Sequence, residues 1–215
     1  MSKKAALFDD DRAGAIYRTA AKMIYEKGFD ATSMNEIAEA VQLTKPGLYY
    51  YVKGKKELLF SIMSFAMDLL DAEVVAVAKE QSDALERLRA IVRCHAWLLT
   101  QATGAIAILI DETRGLSDEQ RVRITERKRA YIDFIRETLD RLRAEGRMRP
   151  VDTTTATFSL LGQIMWLARW FQEAGRMSRE QVVDDVAEIA LGGVLTDEAQ
   201  AGAPSSAALP EAIPA

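Results

Sequence analysis

The breaks in helical periodicity constrain this chain more than any other feature. Glycine and proline are sparse, 12 and 5 among 215 residues, and they mark gaps between stretches whose apolar residues recur every three to four positions. Gaps fall at Gly28, Gly54, Gly104, Gly115–Ser117, Gly146–Asp152 and Gly175–Ser178. No alternating run suited to a half-buried strand stands out, so the expected fold class is all-α. Beyond Lys55 the spacing predicts longer helices near 55–80, 83–101, 105–114, 118–145, 153–173 and 178–195.

Before Lys55 the helices are shorter and their signals are local. Asp10 and Asp11 suit the start of a first helix, which carries Ile16, Ala20, Met23 and Ile24 on one side and stops at Gly28. Ser33-Met34-Asn35-Glu36 is a capping-box pattern that opens a second helix with Ile37 and Val41. Thr44 reads as the cap of a third, with Pro46 tolerated in its first turn. A longer helix followed by two short ones about Gln42-Leu43 is a helix-turn-helix layout. The expected organisation is a three-helix head over 1–54, a larger helical body over 55–195, and a disordered Ala/Pro/Gly/Ser-rich tail over 196–215.

Three tyrosines and a lysine cluster crowd the end of the head, in LTKPGLYYYVKGKKELL. Recognition helices enter the major groove by their N-terminal part, so Lys45, Pro46, Gly47, Tyr49 and Tyr50 are the side chains that meet base edges. Lys45 can donate to guanine O6 and N7, and Pro46 can touch a thymine methyl. Gly47 removes bulk where backbone approaches closely. Thr32 and Thr44 lie at helix starts, where outward backbone N–H groups favour an anion. Lys55 and Lys56 can reach flanking phosphates, while Leu48 and Val52 turn inward. Consecutive helical residues point about 100° apart, so Tyr51 can instead cover the head's core.

Charge agrees in sign. From Arg12 to Phe60 eight Lys/Arg face five Asp/Glu, inside a chain of net charge −4. A small basic head on an acidic body suits local phosphate contact. No apolar run approaches the length of a membrane span, and the start lacks a secretory h-region, so a cytoplasmic protein without a membrane partner is expected. One cysteine, Cys94, and one histidine, His95, leave no disulfide framework, histidine triad or multi-histidine metal site. Adjacent on a helix, the two point apart, so a buried thiol beside a surface or pocket-lining imidazole is expected, and neither catalysis nor a metal nor a bound cofactor. Arg121 to Arg136 is laced with Glu126 and Asp133, which makes a charged outer face rather than a second nucleic-acid site.

The last two long helices carry apolar residues wider than one stripe: Phe158, Leu160, Leu161, Ile164 and Leu167, then Val182, Val183, Val186 and Ile189. Contact on two sides follows, and two such helices per subunit can build a symmetric four-helix interface.

Residues 12–60 resemble the DNA-binding domain of the TetR family of bacterial transcriptional regulators. The resemblance runs through Ala20-Ala21, Gly28-Phe29, Ala31-Thr32-Ser33, Glu36-Ile37-Ala38, Leu43-Thr44-Lys45, Leu48-Tyr49-Tyr50-Tyr51, and Lys55 with Leu58. It implies phosphate contacts for Thr32, Thr44, Tyr49, Tyr51 and Lys55. It implies base reading by Lys45, Pro46 and Tyr50, with Asn35 from the second helix. Gln42 stands where glycine is common, which asks it for a left-handed backbone, and Val52 where phenylalanine is usual. Homodimers on a palindromic operator, released by a small-molecule effector, are the implied mode of action, with residues 55–195 as the ligand-binding and dimerisation body.

Trp166-Leu167-Ala168-Arg169-Trp170-Phe171, with Gly175 beyond, is similar to the C-terminal part of family members that sense acyl-CoA thioesters. That resemblance makes Arg169 and Arg176 candidates for CoA phosphates and sets Trp166 beside the adenine or pantetheine arm. Ile106, Ile108, Leu109 and Met165 become candidates for an acyl tunnel, and Trp97 and Trp170 complete the set. The same tryptophans also read as core or interface anchors, with Arg169 paired to Asp184 or Asp185. A ligand-responsive repressor is one reading of the whole chain. The alternative is a DNA-bound interaction protein whose body binds a protein partner.

Overall fold

Capping chemistry sets where the first helices begin and end. The computed structural model describes residues 11–101, 103–111 and 115–201. Helix α1 (Asp11–Lys27) ends at Gly28, whose φ of +89° supplies the left-handed C′ position. Helix α2 (Met34–Ala40) opens with a complete capping box: Glu36 N–H donates to Ser33 Oγ at 3.2 Å, and Ser33 N–H donates to Glu36 Oε2 at 2.8 Å. The bonds with Ser33, and after them Lys27 at 3.3 Å, hold the Glu36 carboxyl down to about 2. Helix α3 (Lys45–Tyr51) is capped by Thr44, whose Oγ1 accepts from Gly47 N–H at 3.2 Å. Gln42, between α2 and α3, has the left-handed backbone asked of it, with φ 56°.

The remaining helices are α4 (Lys55–Leu70), α5 (Ala76–Lys79), α6 (Ala84–Gln101), α7 (Thr103–Asp111), α8 (Asp118–Ala144), α9 (Thr153–Trp170), α10 (Arg179–Gly192) and α11 (Asp197–Ala201). The stretch expected as one helix over 55–80 is interrupted by a π-helical turn, Asp71–Val75, where the neighbours Glu73 and Val74 are both buried. Helix α9 stops at Trp170 because Phe171 turns to an extended backbone, φ −65° and ψ 131°.

Order also continues past the point where composition turns tail-like. Arg149 N–H donates to Val194 O at 2.8 Å and Thr196 N–H to Arg147 O at 3.1 Å, pairing Met148 with Leu195 in an isolated antiparallel bridge. An ion pair at 2.7 Å between Arg149 and Asp197 then fixes α11, which composition alone did not announce. Residues 202–215 of the expected tail lie outside the described residues.

The helices form two compact units, one within Met1–Leu69 and Ala102–Arg127, the other within Leu70–Gln101 and Lys128–Ala215. In the first, Ile16, Ala20 and Ile24 of α1 are buried with Ile37, Leu48, Val52, and Leu58, Leu59 and Ile62 of α4. Helix α7 packs along α1. Their approach is close enough that a Cβ added at Gly104 would sit 3.0 Å from the backbone nitrogen of Lys22. In the second unit α6 is the central element. It is buried almost all round, and α9 and α10 both pack on it. An ion pair at 2.6 Å ties Arg93 of α6 to Asp184 of α10, so that carboxylate is engaged by Arg93. No described helix is long and apolar enough to cross a membrane.

The close approach at Gly104 generates a prediction. Gly104→Val places two methyl groups against the α1 backbone and lowers stability by about 1–3 kcal/mol. In a thermal melt followed by circular dichroism, the midpoint falls by several degrees. An unchanged midpoint would show that α7 can move away from α1 without loss.

Candidate nucleic-acid interface

Helix α3 is only seven residues long, so packing and its cap decide which way it faces. Leu48 and Val52 are buried and hold it against the head core, as their spacing implied. The opposite side carries Lys45, Pro46, Tyr49 and Tyr50 to the surface, and Tyr50 is 86% exposed. With Tyr49 exposed beside it, Tyr50 extends an aromatic surface on the same side as Lys45 and Pro46. Tyr51 is half-buried, and its ring meets Tyr50 edge-on, 5.4 Å between centroids. Asn35 on α2 and Lys53 and Lys56 beyond α3 are exposed as well.

The residues expected at phosphates are placed unequally. Thr44 is exposed, and because its Oγ1 accepts from Gly47 N–H, its own hydroxyl hydrogen remains available to donate. A Cβ at Gly47 would lie 3.2 Å from that oxygen, so glycine keeps the cap tight. Lys55 is tethered: its Nζ donates to Asp30 O at 3.1 Å and sits 4.5 Å from the centre of the Phe29 ring. Thr32 is 1% exposed, and its hydroxyl donates to Gly28 O at 2.9 Å. What it supplies there is a partner for the carbonyl of the residue that closes α1.

The residues expected to line an effector site fall in both units. Ile106, Ile108 and Leu109 are buried on α7 in the first unit. Trp97, Met165, Trp166, Arg169, Trp170 and Arg176 belong to the second unit. Trp97 is buried on α6 beneath the Arg179 guanidinium, 5.5 Å from its ring centre. Trp166 and Trp170 instead stand at the surface of α9 and Arg169 and Arg176 are exposed. An open hollow of about 350 Å³ on that face is lined by Gly162, Gln163, Trp166, Val186 and Ile189. Another of about 230 Å³ includes Trp170, Gly175 and Arg176.

Sequence reading missed one polar group in the second unit. Of the two places expected for it, the helix surface is excluded: His95 is wholly buried, and its Nδ1 lies 3.0 Å from the Tyr131 hydroxyl on α8. Burial holds the imidazole pKa down to about 4 and pushes the Tyr131 phenol above its ordinary value. Cys94 is likewise buried, and desolvation raises its thiol to about 11, so it carries no thiolate near neutrality. The separation of 36 positions between His95 and Tyr131 hides the pairing from any local pattern.

A capped recognition helix with an outward Lys45–Tyr50 face, in a chain with a separate helical unit, defines a helix-turn-helix DNA-binding regulator. Family models agree with that class. Residues 16–62 match the model described as bacterial regulatory proteins, tetR family, and residues 81–194 match the tetracyclin repressor-like C-terminal domain. The chain belongs to the TetR family. Among similar proteins, the HTH-type transcriptional repressor KstR2 of Mycolicibacterium smegmatis is 23% identical over 85% of this chain and 90% of its own. A crystal structure of AibR, in complex with isovaleryl coenzyme A and operator DNA, is 39% identical, covering 83% of this chain and 97% of that one, with a TM-score of 0.74. The KstR2 structure of Mycobacterium tuberculosis has the same fold, with a TM-score of 0.79 at 23% identity.

The exposure of Tyr50 makes its test clean. Tyr50→Ala leaves the melting midpoint unchanged yet weakens binding to DNA selected by the protein from a random-sequence pool by roughly tenfold or more. Lys45→Ala broadens the selected sequence at its contact position. Fluorescence anisotropy against selected and scrambled duplexes measures both, and equal losses on the two duplexes would show that neither side chain reads bases.

Proposed function

We propose that this protein is a homodimeric transcriptional repressor that an acyl-CoA thioester releases from a palindromic operator. The observation that carries the effector class is the AibR likeness. A relative 39% identical across nearly its whole length was captured with isovaleryl coenzyme A and operator DNA together. The Trp166–Phe171 run is compatible with it, and so are the branched apolar residues buried on α6 in the second unit.

Functionally, we assign residues 1–54 to the head and 55–195 to the body. In the head, Lys45, Pro46 and Tyr50 read bases, helped by Asn35, while Thr44, Tyr49, Tyr51 and Lys55 take backbone phosphates. The dimer forms through α9 and α10, whose outer face exposes Phe158, Trp166 (64%), Trp170 and Ile189 (69%). Large apolar side chains gathered on one face mark an interaction surface. Each protomer then presents one head to one half-site, and successive major grooves lie about 34–36 Å apart. An effector lowers operator affinity only to the extent that it binds the DNA-incompetent state more tightly. Such a regulator works on the cytoplasmic side, where DNA and CoA esters meet, and performs no catalysis of its own.

Two measurements test this. On selected operator DNA, isovaleryl-CoA and a series of other acyl-CoAs release the protein at concentrations that vary with chain length, whereas free CoA does not. Failure of every acyl-CoA to stabilise the protein thermally or release the DNA would reject the effector class. Separately, Trp166→Glu with Ile189→Glu yields a folded monomer by sedimentation that no longer binds the palindrome, though each head remains intact. A double variant that is still dimeric would place the interface elsewhere.

A further inference from the structure

His95 and Tyr131 form a buried pair whose hydrogen bonding is incomplete. Both are neutral near pH 7, since burial opposes the imidazolium and the phenolate alike. Two arrangements are open to neutral partners 3.0 Å apart. If Nδ1–H donated to the phenol oxygen, the phenol O–H would need an acceptor of its own in the interior. If the phenol donates to Nδ1, a single polar hydrogen is left over, the one on Nε2. Each arrangement leaves one donor over, but the first also strands the Nε2 lone pair, so the second leaves fewer polar groups unpaired and Tyr131 holds the imidazole as the Nε2–H tautomer.

That Nε2 is buried and meets no partner among the described residues. Buried N–H groups are nearly always paired, so an orphan on a side chain 1% exposed points to a group the protein binds. Its surroundings fit a ligand. The π-helical turn Asp71–Val75 packs against α6, and π turns are frequent at functional sites. On the face of α6 that carries His95, one turn either way, lie Ile91, Val92, Leu98 and Leu99, all buried and all apolar. A donor whose neighbours along its helix face are branched aliphatic side chains suits a small apolar group with one acceptor, such as an acyl carbonyl.

We infer that His95 Nε2 donates the hydrogen bond that recognises the acyl carbonyl of the effector, with Tyr131 as the positioning residue that holds the donor tautomer. This rests on the acyl-CoA reading above and names the atom that distinguishes a thioester from any other CoA derivative.

Because His95 is the only histidine in the chain, its ring nitrogens give an unambiguous signal in long-range proton–nitrogen spectra. The probes are isovaleryl-CoA and S-isopentyl-CoA, a thioether of the same length in which a methylene replaces the carbonyl. In the wild type the free protein shows the Nε2–H tautomer and isovaleryl-CoA shifts its signal, while the thioether does not. Operator release by the thioester then needs on the order of tenfold less compound than release by the thioether. His95→Leu abolishes that preference by weakening the thioester alone. His95→Gln, which keeps an N–H donor, retains part of it and serves where the leucine variant does not fold. Tyr131→Phe lets the tautomer mix and reduces the preference without removing it. Equal potency of the two probes, an Nε2 signal unmoved by isovaleryl-CoA, or a preference preserved in His95→Leu each overturns the assignment while leaving the acyl-CoA reading standing. If neither isovaleryl-CoA nor any other acyl-CoA binds or releases DNA, the acyl-CoA reading fails and the carbonyl assignment falls with it.

Discussion

Seven-residue helices do not hold together in water by themselves, because nucleation costs more than so few hydrogen bonds return. Helices α2 and α3 are both that short. They exist because Ser33 and Thr44 cap them and because Ile37, Leu48 and Val52 are driven into one small core with α1 and α4. The DNA-facing surface is the by-product of that constraint. Once Leu48 and Val52 are committed inward, the helical period sends Lys45, Pro46 and Tyr50 outward. Gly28 and Gln42 close the turns on either side with left-handed backbone, so the head has little freedom to present any other face.

What could be read in advance was whatever is encoded within about four residues. The capping box at Ser33–Glu36, the Thr44 cap, the stop at Gly28 and the strain at Gln42 are all local, and the structure has each of them. Features that depend on distant partners were silent. Thr32 looks like a surface hydroxyl at a helix start, yet the carbonyl of Gly28, just past α1, takes its hydrogen. His95 sits in a helix whose other residues leave its surroundings undecided, and only Tyr131, on another helix, shows that it is interior. The π turn at Asp71–Val75 breaks no rule of composition and so left no mark in the periodicity. The bridge between Met148 and Leu195 depends on the chain returning after α10, and with it came α11 in a stretch whose composition resembles a tail.

Helices α9 and α10 carry two obligations at once. Their inner faces, including Leu160, Ile164, Leu167, Val183 and Ala190, are buried in the second unit, where both helices pack on α6. Their outer faces keep Phe158, Trp166, Trp170 and Ile189 exposed. The breadth of the apolar pattern foretold two-sided contact, but periodicity could not say which tryptophan served which side. Trp97 is the interior one and the two on α9 are not. That division bears on the effector as well. The proposed dimer uses Trp166 and Trp170, which moves the search for effector contacts inward, to the side chains of α6 and α8.

An unpaired N–H in a protein interior costs about 1–3 kcal/mol, and a carbonyl that meets it recovers much of that. The recovery is available only in a state where the ligand can reach Nε2 of His95, so the bond favours that state over any other. Coupling energies of this size change affinity at a second site by about 5–150-fold, which is the range a ligand-released regulator requires. A fully satisfied core would hold the second unit in one arrangement and give a ligand nothing to select. A neutral imidazole, held as one tautomer by Tyr131 and left with one hydrogen to give, costs some stability in the empty protein, and that deficit is the free energy an effector can use.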